Sequence, residues 1–427
     1  MKFIPAFHSR FGFRCLGLGA AWALASGAFA ADWPRWRGLA GDGHVPSTER
    51  VPAKLPTLEN FAWKVPVGPG LGSPVVSGGV VYLLDAAEGS ERVNAFDAAT
   101  GRVRWRVTLD ELHKDNQSVP GPRSTPLVDG DRLYVQSCRG EFRCLDAVNG
   151  RTLWRVKFVT DFQAEFTGEK GRTPGAARHG YSGSPWVSGE RILVGVGGRD
   201  GASVVCFSKY DGTVIWKSQD DVPGYGGPVV ATVAGLSQVL SFTADAAIGL
   251  RFDTGEALWR VPVKTSFGRH VANPMVVGDL VVVGSHQAGN LGLRISRDGE
   301  ACKAETAWSD KRNAINFSSP VVVAGHLYGL GPAGMMFCVE GSTGVEKWTH
   351  EISRGGQKAQ AQFLVMGNRI LVLNDLGELL LIAADPTAFR LVSRLKVSGD
   401  TWCNPAYADG FLFLREMEEL ICVNLLP

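Results

Sequence analysis

The stretch AFDAATGRVRW, from Ala95 to Trp105, decides the fold because the chain writes its frame repeatedly. It returns as CLDAVNGRTLW (Cys144 to Trp154), CFSKYDGTVIW (Cys206 to Trp216), GLRFDTGEALW (Gly249 to Trp259) and CVEGSTGVEKW (Cys338 to Trp348). In each copy a small residue is followed by a glycine (Gly101, Gly150, Gly212, Gly255, Gly344) and then, at fixed spacing, by a tryptophan. A period of roughly 40 to 60 residues is the range of propeller blades and solenoid turns, units that cannot bury their apolar face alone.

A second phrase precedes each core: a small or polar residue, a proline, apolar residues and a glycine turn. It reads SPVVSGGVVYL at Ser73, TPLVDGDRLYV at Thr125, SPWVSGERILV at Ser184, GPVV at Gly227, NPMVVGDLVVV at Asn273, SPVVVAGHLYG at Ser319 and NPAYADGFLFL at Asn404. QFLVMGNRILVL, from Gln362, keeps the pattern without the proline. Short Val-, Leu- and Tyr-rich runs split by Gly, Asp and Asn are strands joined by tight turns, and proline is tolerated at the first residue of a strand. Each unit therefore supplies strands a, b, c and d, and four antiparallel strands make one propeller blade. The corner glycine permits positive φ between c and d, and its spacing from the tryptophan predicts that each indole packs over its own corner.

The eighth unit stops at Pro427 with strand c written and no strand d. The missing strand is at the other end: NFAWKVPV, Asn60 to Val67, has the Trp63 and the alternation of a d strand with no a, b or c before it. Joining the two closes the ring and removes exposed edges. The fold expected is all-β, an eight-bladed propeller of four-stranded antiparallel blades, closed by an N-terminal strand in the C-terminal blade. Two units drift. In the fifth, Gly299 lies further from Trp308 than the frame allows and predicts a longer corner containing Cys302; in the seventh, Pro386 to Phe389 has neither the glycine nor the tryptophan.

Residues 1–30 have the layout of a secretory leader, with basic Lys2, Arg10 and Arg14, an apolar run from Cys15 to Phe29, and a small-residue site predicting cleavage after Ala30. Residues 31–59 read as an extended arm pinned by Trp33 and Trp36, and 60–427 as one propeller domain. No later segment is apolar enough to span a bilayer, so the expected protein is periplasmic or secreted, without a membrane span, and a monomer. A formal net charge of +2 without a basic cluster argues against nucleic acid. Cys144, Cys206 and Cys338 share the slot of Ala95 and Gly249, where a thiol serves as a small hydrophobe. A two-residue turn at Arg139 and Gly140 would pair Cys138 with Glu141 and Cys144 with Val135, on opposite faces, so no disulfide is expected there.

These phrases resemble the PQQ-like β-propeller repeat family. The resemblance implies one of two branches: non-catalytic eight-bladed scaffolds typified by BamB of outer-membrane assembly, or quinoprotein alcohol and sugar dehydrogenases holding pyrroloquinoline quinone (PQQ) and calcium. DWPRWRG (Asp32 to Gly38) and HGYSGSP (His179 to Pro185) look like a subgroup of exported PQQ-like proteins. The sequence departs from the catalytic branch, for no two cysteines are adjacent and no position matches the calcium-binding or catalytic acids.

Loops from strand d to the next strand a converge on one mouth of a propeller channel. Here they carry Arg123; Arg178, His179 and Tyr181; Tyr225; Arg269, His270 and Asn273; Asn313 and Asn316; Gln357 and Lys358; and Trp402 with Asn404. Such groups suit an anionic or planar small molecule, or an envelope-protein segment. His179 and His270 alone fall short of a metal site, which wants three or four ligands, and no nucleophile–base pair stands out as catalytic. Tryptophans 63, 105, 154, 216, 259, 308 and 348 are read as structural. The insertion from Thr160 to Tyr181 is long enough to form a flap.

Overall fold

The structure, a computed structural model, describes residues 1, 32–57, 60–115, 118–168, 174–353 and 359–426. Residues 2–31, which hold the expected leader, lie outside them, as do Gln357 and Lys358 of the expected rim.

Eight four-stranded antiparallel sheets follow one another. Blades 1 to 7 occupy residues 75–111, 127–157, 186–218, 229–262, 275–310, 321–351 and 361–396. Blade 8 takes strands a, b and c from Ala406–Ala408, Phe411–Glu416 and Glu419–Asn424, and its outermost strand from Phe61–Pro66. In that pairing Trp63 lies opposite Cys422 and Lys64 opposite Ile421. The a strands of blades 1 and 2, 3 and 4, 6 and 7, and 8 and 1 touch around the axis. The apolar core sits in the seams between blades: one cluster joins Val75, Leu84 and Val93 of blade 1 to Leu133, Val135 and Leu145 of blade 2. No helix among the described residues is long and apolar enough to cross a membrane.

The tryptophans pack differently from the expectation. Six of the seven indoles reach forward to the corner of the next blade. Trp63 Nε1 donates to Ala98 O (2.9 Å), Trp105 to Ala147 O (3.1 Å), Trp154 to Lys209 O (3.1 Å), Trp216 to Phe252 O (3.0 Å), Trp308 to Gly341 O (3.0 Å) and Trp348 to Asp385 O (2.9 Å). The ring then covers the neighbour's corner glycine. At Gly101, φ is +69° and an added Cβ would meet Trp63 at 2.8 Å, so both conformation and space select glycine. The cross-strand partner of each indole is the small-residue slot: Ala95 faces Trp105, Cys144 faces Trp154, Gly249 faces Trp259 and Cys422 faces Trp63. A larger residue there would displace the ring from its neighbour.

Trp259 departs from this relay and donates to Gln238 Oε1 of its own blade (2.7 Å), because blade 5 has no corner where the others have one. Its strands c and d, Gly289–Asp298 and Ala301–Asp310, form one long hairpin. The expected long corner is thus corrected to a tight turn at Gly299 and Glu300, with Cys302 in strand d opposite Arg297. The alternation in RISRDGEACKAE simply continues the ladder.

A second correction concerns Cys138 and Cys144. Cys144 pairs with Tyr134, not Val135, and Ser137 N donates to Glu141 O (2.9 Å). The Ser137 hydroxyl also accepts the amides of Arg139 (3.2 Å) and Glu141 (2.9 Å), which makes the loop one residue longer than expected. Both cysteines are buried free thiols.

Candidate functional site at the channel mouth

The residue before each strand-a proline forms a ring about the axis. Its backbone N–H donates to the side-chain oxygen of the equivalent residue one blade on: Asn404 to Ser73 (2.9 Å), Ser73 to Thr125 (3.3 Å), Thr125 to Ser184 (3.3 Å), Gly227 to Asn273 (3.1 Å) and Asn273 to Ser319 (3.4 Å). The series skips from blade 3 to blade 4, where Gly227 offers no side chain because a Cβ would collide with the Ser184 carbonyl. Between blades 6 and 7 it runs backwards, Ala361 N donating to Ser318 Oγ (3.1 Å). The recurrence of Ser, Thr and Asn before proline was visible in the sequence. Its meaning, an acceptor presented to the neighbouring blade, was missed.

One end of the channel is closed by the N-terminal arm. Trp33 exchanges backbone hydrogen bonds with Val76 of blade 1 (2.8 and 3.0 Å), and Pro34 O accepts from Val128 of blade 2 (2.8 Å). Arg35 reaches Val187 O of blade 3 (3.3 Å). The chain then crosses the axis to blades 6 and 7, where Arg37 donates to Pro320 O, and Gly43 and Val45 bond Val365 (2.8 and 2.9 Å). Trp33 is 1% exposed. Burial pulls Arg37 down to about 10, and its guanidinium is held by carbonyl oxygens at Asp42 and Pro320.

What remains is a cup of about 120 Å³. Its floor includes Trp36. Its wall includes Ser73, Thr125, Ser184, Gly227, Asn273, Gln362 and Asn404, and Arg123, Tyr225, Phe317 and Trp402 stand at its rim. Among the described residues the lining presents hydroxyls, amides, aromatic rings and one guanidinium, and contains no carboxylate.

Of the expected rim residues, Arg123, Tyr225, Asn273, Trp402 and Asn404 meet at this cup. Arg123 is held by Asp115, by Ser118 Oγ (2.6 Å) and by the His179 carbonyl. His179 Nδ1 lies 3.4 Å from Asp115 and its ring faces Tyr225 at 6.2 Å. Arg178 stacks over Phe267 (4.5 Å) and Arg269 over Phe317 (5.2 Å). Burial raises the Tyr225 phenol, with Asp115 adding to it, while the charges of Arg123, Arg178 and Arg269 pull it the other way. Other expected residues serve architecture. Tyr181 is buried with its hydroxyl on Val196 O (2.9 Å), and His270 is buried with Nδ1 on Thr243 O (2.6 Å) and its ring stacked on Phe242 (3.9 Å). Asn313 donates to Asp310 and Glu346 (2.9 and 3.0 Å). Asn316 is half-buried in the loop that carries Phe317.

One feature had no sequence signal. Behind Arg123, Glu91 is buried with Oε2 on the Cys138 amide (3.0 Å), and burial pushes its carboxyl up to about 7. Above the blade 1 to 5 side, the described parts of the insertion tie loops together. Phe166 packs edge-on against His113 (5.1 Å), Ala176 N bonds Pro223 O (3.0 Å) and Gly175 N bonds Phe267 O (2.9 Å).

The lining does not fit PQQ with calcium. Calcium wants six to eight oxygen ligands, carboxylates among them, and the cup has no acid. Among the described residues no three His, Cys, Asp or Glu side chains form a metal-holding group. The volume falls below the roughly 300 Å³ at which sites for drug-sized ligands begin, and Trp36 takes space a stacked cofactor would need.

Fold and repeat together define the chain as an eight-bladed β-propeller of PQQ-like repeats. A family profile described as outer membrane protein assembly factor BamB matches residues 89–348 and 200–425, most of the chain, which therefore belongs to that family. No match is found among curated proteins. Among solved structures, BamB from Moraxella catarrhalis is similar at 13% identity and a TM-score of 0.57, over 86% of this chain and 98% of that one. The quinohemoprotein alcohol dehydrogenase of Comamonas testosteroni is similar at 12% identity and a TM-score of 0.63, over 94% and 81%. The computationally designed Ika8 protein aligns at 10% identity and a TM-score of 0.54, over 86% and 99%. At such identities the likeness is one of fold.

Proposed function

We propose that this chain is an exported, monomeric binding scaffold, freed of its leader after Ala30, that seats a ligand or a protein segment in the plugged channel mouth and performs no chemistry of its own. The observation that carries this reading is the lining of the cup. It offers donors, acceptors and aromatic faces from every side, yet no carboxylate, thiol or imidazole positioned as base or nucleophile. Arg123, Arg178, His179, Tyr225, Arg269, Asn273, Trp402 and Asn404 are the residues assigned to binding. Gln357 and Lys358, on the loop from blade 6 to blade 7, join them from the sequence reading.

The alternative is a PQQ-dependent dehydrogenase. Titration of the purified protein with PQQ and calcium, followed by a dye-linked alcohol and aldose dehydrogenase assay, separates the two. The scaffold reading expects no turnover, and turnover above the protein-free control contradicts it. The family match favours a particular kind of scaffold, one that assists outer-membrane assembly. Affinity purification from the native envelope tests that role: recovery of β-barrel assembly components supports it, and their absence under mild crosslinking argues for a ligand-binding role instead.

A further inference from the structure

Among the described residues Arg269 is a cation without a counter-ion, and its Nε is buried without a hydrogen-bond partner. It lies over Phe317, which lines the cup, and within electrostatic reach of Tyr225, which lines it too. Burial lowers its pKa, and the one group that offsets this is a phenol, not an acid. Beside it stands His286, from the turn between strands b and c of blade 5, whose Nδ1 is also buried without a partner. Burial, followed by Arg269 and His270, drives His286 down to about 4, again with no acid among the causes.

Several other partly buried arginines are matched by acids, while Arg35, Arg37 and Arg415 donate to backbone carbonyl oxygens. Arg92 is bidentate with Asp85 (3.0 and 2.8 Å), Arg143 bonds Glu141 (2.6 Å), and Arg123 holds Asp115. A buried polar nitrogen left without an acceptor costs about 1–3 kcal/mol, more when charged. Arg269 and His286 stand just outside the cup, Arg269 packed on Phe317 of its lining, and unsatisfied nitrogens at the edge of a cavity point to an acceptor supplied from outside. A guanidinium stacked on an aromatic ring presents a planar fork that matches a carboxylate.

We infer that the mouth binds a small organic carboxylate, gripped by Arg269 between Phe317 and Tyr225 with its body over the Trp36 floor. This rests on the mouth being a binding site and adds the chemical class.

Benzoate and its neutral isostere benzamide are the probes, titrated calorimetrically into the full mature chain, with sodium sulfate as a competitor. Benzoate is expected to bind about tenfold or more tightly than benzamide. Arg269→Gln is expected to abolish the preference for benzoate over benzamide, with an unaltered thermal melt as the check on folding. Equal affinities for the two probes, or benzoate binding indifferent to Arg269→Gln, would overturn the carboxylate assignment while leaving the mouth as a site. Displacement by sulfate as effective as that by a second carboxylate would overturn it in favour of a general anion site. If neither probe binds and PQQ turnover appears, the scaffold reading itself fails.

Discussion

The two faces of this propeller are built from the same eight repeats and differ in how those repeats are used. On the corner face, the corners of blades 1 to 4, 6 and 7 each receive an indole from the preceding blade, and the arm lies across the channel end. Trp63, Trp105, Trp154, Trp216, Trp308 and Trp348 make the same bond to the next blade. On the mouth face repetition breaks down: the rim carries Arg123, Tyr225, Phe317 and Trp402 from four different blade junctions, no two alike. Where a repeat is obeyed, side chains answer to packing. Where it lapses and polar groups face a cavity, they are available for recognition.

The largest effect that tests this division is on the corner face. Trp63→Ala removes a 9%-exposed ring that closes blade 8 onto blade 1 through Gly101 and Ala98. A loss of about 3–5 kcal/mol is expected in denaturant unfolding. A loss below 1 kcal/mol would mean that the N-terminal strand does not close the ring.

The next effect belongs to the mouth. With its folded pKa raised to about 7, Glu91 binds a proton that the unfolded chain has already released above about pH 4.5. Its contribution to stability is therefore present at low pH and is lost as pH rises through 7, by an amount on the order of 3 kcal/mol. His113 and His286, both lowered to about 4 by burial, act in the opposite sense, losing stability as pH falls from 6.5. The difference between wild type and Glu91→Gln isolates the carboxyl. The variant is expected to gain on wild type between pH 4.5 and 8, and parallel curves would refute the burial of a charge behind Arg123.

The smallest effect sharpens the boundary of the site. Tyr181→Phe removes only the bond to Val196 O, at a cost of about 1 kcal/mol. Because the ring is buried outside the cup, benzoate affinity is expected to be unchanged. A changed affinity would return Tyr181 to the rim.

Blade number and closure were legible because they depend on periodicity, and Trp63 with its alternation could be matched to an unfinished unit at Ile421. The direction of the indoles was not legible. The glycine keeps a fixed spacing only from the tryptophan of its own unit, whereas its separation from the previous unit's tryptophan varies from 36 residues (Trp308 to Gly344) to 58 (Trp154 to Gly212), so the contact between units left no constant spacing to read. The Cys138 register turned on one hydroxyl, that of Ser137, which converts a two-residue turn into a longer one. The site was only half legible, since loops have no phase from which burial can be read. Tyr181, His270 and Asn313 looked equivalent to Tyr225, Arg269 and Asn273 in sequence, and only the packing of blades separates them. The arm's Trp36 was read as a pin and is also the floor of the cup.

The division of labour between the faces is tested most directly by hydrogen exchange of the native protein with and without saturating benzoate. Ligand stabilises the amides whose opening breaks its site. Slower exchange is predicted in the mouth loops around Tyr225, Arg269 and Phe317, with the corner peptides around Gly101, Gly150 and Gly212 unchanged. Protection at the corners, or none in the mouth loops, would contradict the account.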